Sequence, residues 1–107
     1  MKLKRLVTAT LLLAPITAWS ATGNSLRDWG SGYEQNGNTF ADGVYLGYVA
    51  GVVDVLSGIA FCPPKGMTNG QGASVVWKWL SANPERWSEP GGDLVIAALN
   101  RAYPCKK

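Results

Sequence analysis

Cys62 and Cys105 are the only cysteines in the chain, and each follows a segment that reads as a helix. A bond between them would close much of the C-terminal half into one loop and restrict how its helices can pack. The alternatives are a metal pair or a free thiol. The chain has no histidine, and two lone sulfurs cannot complete a zinc site. The compartment bears on the choice, and the N-terminus speaks to it.

Lys2, Lys4 and Arg5 form a basic start, and residues 6–14 are an apolar run. Ala18, Trp19 and Ser20 then offer small residues at the −3 and −1 positions of a cleavage site. The run is too short to cross a bilayer, which takes roughly 20 residues, and Pro15 interrupts it. Residues 1–20 are therefore expected to be a signal peptide and residues 21–107 the mature helical domain. Export to an oxidising compartment favours a Cys62–Cys105 disulfide. A mature chain of about 87 residues lies near the size at which a single core needs such a staple.

Cleavage also changes the charge balance. Three of the ten basic residues lie in the signal, leaving seven against seven acidic ones. No basic stripe remains to follow a phosphate backbone, so nucleic acid is not an expected partner.

Hydrophobic spacing predicts an all-α fold, a small bundle of about four helices closed by one disulfide. Leu26, Trp29 and Tyr33 mark a short first helix with Asn24 or Ser25 as its cap, and residues 35–38 read as a turn. Residues 39–60 form the strongest helical segment. Its Gly43, Gly47 and Gly51 repeat every four residues, and because glycine costs about 1 kcal/mol each inside a helix, close packing against another helix is expected there. A membrane helix is disfavoured by Asp42 and Asp54. Thr68 and Gln71 fit a capping box for a third helix over residues 69–82, with Ala73, Val76, Trp77 and Leu80 inward and Val75 and Trp79 on the flanks. Asn83 and Pro84 stop it. The last helix is expected over residues 93–102, with Val95, Ala98, Leu99 and Ala102 on one face.

No catalytic constellation emerges, and no catalytic residue, metal site or cofactor is expected. Without histidine the commonest general base is missing, and paired cysteines leave no thiolate. Asp42 and Asp54 are expected on one helix face but roughly 18 Å apart, too far for a glycosidase pair, which needs under about 10 Å. Gly70-Gln71-Gly72 has neither the preceding strand nor the lysine of a phosphate loop. The chain is read as a binding protein and not an enzyme. Its partner-contacting candidates are the rigid connector Pro63, Pro64 and Lys65, and the cluster of Trp79, Arg86 and Trp87 around the Asn83-Pro84 turn, since tryptophan and arginine dominate interface hot spots.

The motif string carries more. Gly47-Tyr48-Val49-x-Gly51-Val52-x-Asp54-x-Leu56-x-Gly58, Cys62-x-Pro64, Gly66-x-Thr68-x-Gly70-Gln71, Asn83-Pro84 and Tyr103-Pro104-Cys105 together resemble the Tai/Rap family, over residues 24–105. Members of that family are periplasmic immunity proteins of type VI secretion systems. The resemblance implies a helical, disulfide-bonded homodimer that binds a secreted peptidoglycan amidase effector and occludes its active site. The alternative is a small periplasmic helical chaperone or stress protein, for which 16% charged residues is low.

Overall fold

A threonine precedes each of the first three helices and caps it in the same way. The structure, a computed structural model, describes residues 20–35 and 38–106; the expected signal peptide, apart from Ser20, and the centre of the 35–38 turn lie outside the described residues. Among these, four α-helices follow one another: α1 (Gly23–Gly30), α2 (Phe40–Leu56), α3 (Asn69–Ala82) and α4 (Gly91–Ala102), with a 3-10 turn Pro84–Arg86 between the last two. Thr22, Thr39 and Thr68 are extended, accept a hydrogen bond from the backbone three residues on, and receive the side chain of Ser25, Asp42 or Gln71 in return. Each box thus satisfies donors that the first helical turn leaves free.

The all-α fold, the third helix and the disulfide stand as expected. Cys62 and Cys105 are bonded with their Cα atoms 4.8 Å apart. Other expectations are corrected. The first helix is capped by Thr22, not Asn24 or Ser25, and ends at Gly30, so Tyr33 lies in the turn that follows. Its start is tied to the α3–α4 connection: Gly23 and Asn24 donate to the Glu89 and Trp87 carbonyls at 3.0 and 2.8 Å, and Gly91 donates to that of Ala21 at 2.7 Å. With these bonds in place α1 starts two or three residues earlier than expected. The second helix stops at Leu56 and not near Ala60, because Ser57 turns extended and Gly58 takes φ +84, a left-handed conformation open to glycine. The last helix begins at Gly91, behind Pro90, two residues before Asp93.

The core gathers one face from every helix. Leu26, Tyr45, Val49, Phe61, Ala73, Val76, Leu80, Leu94, Val95, Ala98 and Leu99 are buried. Ala102, expected with that face, is exposed, and Trp77 is half-buried. Tyr45 carries a hydroxyl into the interior. Its hydroxyl donates to the Ala73 carbonyl at 2.6 Å, and its ring meets Trp77 edge-on at 6.0 Å between centroids. Burial pushes this phenol well above its ordinary value.

The glycine stripe is the main reversal. A Cβ added at Gly43, Gly47 or Gly51 would meet nothing within 4 Å, and all three are exposed. No helix among the described residues packs on them. Asp42 and Asp54 also part company: Asp42 is 1% exposed and closes the α2 capping box, while Asp54 is exposed. Twelve residues at about 100° each leave them some 120° apart around the axis, which accounts for the difference.

Candidate functional site

The connector after α2 is rigid for reasons visible in its backbone. Two prolines fix φ at consecutive positions. The Cys62 amide donates to the Tyr103 carbonyl at 2.8 Å beside the disulfide, Asn100 Nδ2 donates to the Ala60 carbonyl at 2.8 Å, and Met67 donates to that of Pro64 at 3.2 Å. Pro63 is half-buried, whereas Pro64, Lys65 and Gly66 are exposed. The result is a short projection pinned at its base to the end of α4.

From this projection a trough runs along the outer side of α3. Gln71, Ser74, Val75, Lys78, Trp79 and Ala82 recur at helical spacing and line two adjoining grooves. One, of about 660 Å³, lies between α3, Tyr33, Tyr103 and the connector residues Pro64 and Met67. The other, of about 470 Å³, lies between α3 and the C-terminal half of α4, at Ala98, Arg101 and Ala102. Val75 lines both. Of the expected contact residues, Pro64 and Trp79 therefore share one continuous surface. Pro63 and Lys65 stand beside it without lining either groove.

The tryptophan cluster divides in two. Arg86 lies over the Trp79 ring at 5.0 Å and holds Glu89 through two bonds, Nε to Oε2 at 2.8 Å and Nη2 to Oε1 at 3.0 Å. The hydrogen bond from Arg86 lowers the Glu89 carboxyl below its ordinary range, and the same bond raises the guanidinium. This fork holds the Arg86 guanidinium in place over Trp79. Trp87 faces the other way. Its Nε1 donates to the Leu80 carbonyl at 2.8 Å, and Arg27 of α1 stacks on its ring at 4.9 Å. Trp87 thus joins α1, α3 and the turn; of the three, Trp79 alone lines the trough, and Arg86 touches it only through the Trp79 ring.

Lys78, Val75 and Arg101 were missed as site residues. Their signal is faint: small Ala98 and Ala102 one turn apart on α4 leave room beside α3, but only the helix packing brings Arg101 across to Lys78.

This surface sets aromatic, apolar and cationic groups side by side on α3, α4 and the connector. No helix among the described residues is long and apolar enough to cross a membrane. No curated protein matches the chain. The family model described as Rap1a immunity proteins matches residues 22–105, nearly all of the described chain and every element lining the trough, and the chain belongs to that family.

Proposed function

We propose that this immunity protein is exported to the periplasm, where it binds a secreted peptidoglycan amidase of a type VI secretion system and occludes its active site. The observation that carries the reading is the pairing, on one face, of the disulfide-pinned Pro63–Gly66 projection with the α3 trough and its Arg86-backed Trp79. An inhibitor that fills a cleft binds more tightly when the inserted part is already ordered, because less conformational entropy is lost. Pro64 and Lys65 are exposed at the tip, and Trp79 supplies the kind of side chain that anchors interfaces. The test is growth of cells that receive the amidase encoded beside this chain. Production of the protein is expected to restore growth, with Trp79→Ala and Lys65→Glu weakening protection while the fold persists. Absence of protection by the folded, exported wild type would overturn the reading in favour of the chaperone alternative.

We also propose that the protein works as a homodimer joined through α2. That helix is apolar around most of its circumference, a pattern proper to a fully covered helix, yet among the described residues nothing covers one side. Phe40, Val55 and Ile59, the exposed large hydrophobics of the described chain, are 89%, 71% and 75% exposed and lie on or just beyond that side. The arrangement suits a second copy running antiparallel. A two-fold axis between Gly47 and Tyr48 sets Phe40 opposite Val55 and Val44 opposite Gly51, bulk against bulk at the ends and against small residues inside. It also brings Asp54 to the partner's α2 N-terminus, where the helix dipole favours a carboxylate.

A further inference from the structure

The groove between α3 and α4 is lined by the apolar side chains of Val75, Trp79, Ala82, Ala98 and Ala102, and by Lys78 and Arg101. Both cations are exposed. Neither has a carboxylate of the described residues within salt-bridge distance; the ion pairs formed are Arg27–Asp28 and Arg86–Glu89. Arg101 is in the last turn of α4, where the helix dipole favours a cation. Lys78 lies outside the last turn of α3 and has no such role. Two cations unpaired among the described residues thus flank a hollow lined by methyl groups and the Trp79 side chain.

We propose that this groove receives an acidic–apolar segment of the effector, a stretch carrying an aliphatic or aromatic side chain with an aspartate or glutamate close by. This rests on the effector-binding reading above and adds the chemistry of the contact. The apolar side chain fills the hollow between Ala82 and Ala98 and expels water from it. The carboxylate meets Lys78 and Arg101 at its edge, where the drier floor strengthens the attraction and like-charged competitors are turned away. The fit is one of charge: the groove offers cations without partners and no acid of its own.

The test has two arms, both using the disulfide-bonded protein and a Lys78→Glu/Arg101→Glu variant whose unchanged thermal midpoint certifies its fold. In the first, random short peptides displayed on phage are selected on each form. The wild type is expected to enrich apolar residues flanked by Asp or Glu, and the variant to lose that enrichment. No enrichment, or the same enrichment on both forms, overturns the proposal. In the second, affinity for the amidase encoded alongside is measured by calorimetry. Charge reversal is expected to weaken binding roughly tenfold or more, and added salt to weaken the wild type more than the variant. Unaltered affinity in the variant overturns the groove while leaving the immunity reading intact. Acidic–apolar enrichment without any binding of the amidase upholds the groove's chemistry and overturns the amidase as its source.

Discussion

Gly30 lies against the six-membered ring of Trp77: a Cβ there would stand 2.9 Å from two ring carbons and 3.0 Å from the Tyr45 ring. The last turn of α1 approaches α2 and α3 this closely because it has no side chain at that point. Gly30→Ala is therefore expected to force the aromatic pair apart and to destabilise the protein by about 1–3 kcal/mol. Gly47→Ala has open space before it, and in the isolated subunit it is expected to add about 0.5–1 kcal/mol through helix propensity. Urea unfolding at subunit concentrations too low for association measures both. Equal effects at the two positions would show that glycine packing does not govern this core.

Those two glycines also mark what the sequence could convey. Periodicity correctly placed a glycine stripe along one side of α2, but not which sides other helices would cover. That depends on partners far along the chain, and Trp77 reaches Gly30 only once α3 has crossed α1. The Thr68–Gln71 box was legible because Gln is a usual reciprocal partner; Ser25 and Asp42 fill that position at the other two boxes, and both caps were overlooked. The same limit applies to the trough. Trp79 stood out as an aromatic beside a turn, whereas Lys78 and Arg101 look like ordinary solvated cations until α3 and α4 lie side by side.

The Tyr45 hydroxyl bonds to a carbonyl inside the fold, so Tyr45→Phe is expected to cost about 0.5–1.5 kcal/mol in urea unfolding. It also has a pH signature. Burial raises the folded-state value above the ordinary phenol value of about 10. The neutral phenol is thus favoured by folding, and its contribution is present in full below about pH 10 and lost as pH climbs toward the folded value. Unfolding free energy should fall above that pH in the wild type and more gently in Tyr45→Phe. Ultraviolet titration should also show a tyrosine that ionises only with unfolding.

The Cys62–Cys105 bond spans a sequence separation of 43. Chain entropy for a loop of that size is worth up to about 4 kcal/mol, less where the reduced chain keeps structure. Cys62→Ser/Cys105→Ser should lower stability by about 2–4 kcal/mol and release the Pro63–Gly66 projection from the end of α4. Proteolysis at Lys65 provides a local readout: the bonded form is expected to resist trypsin there and the double variant to be cut. Alkylation of the untreated wild type with iodoacetamide should leave both cysteines unmodified.

Pairing through α2 makes a prediction that depends on register. If the two-fold axis passes between Gly47 and Tyr48, residue 47 of each copy lies almost opposite its counterpart, while Phe40 lies roughly 22 Å from its own at 1.5 Å per residue. Gly47→Cys should then oxidise to a covalent dimer. Phe40→Cys alone should not, but a mixture of Phe40→Cys and Val55→Cys subunits should cross-link to each other. Gly47→Glu supplies the complementary test, since its side chain enters open space in the subunit and would meet a close backbone in the dimer. It is expected to leave the fold intact and yield a monomer by light scattering. A monomeric wild type, or cross-linking that ignores position along α2, would remove the antiparallel pairing and leave the bare face of α2 without this partner.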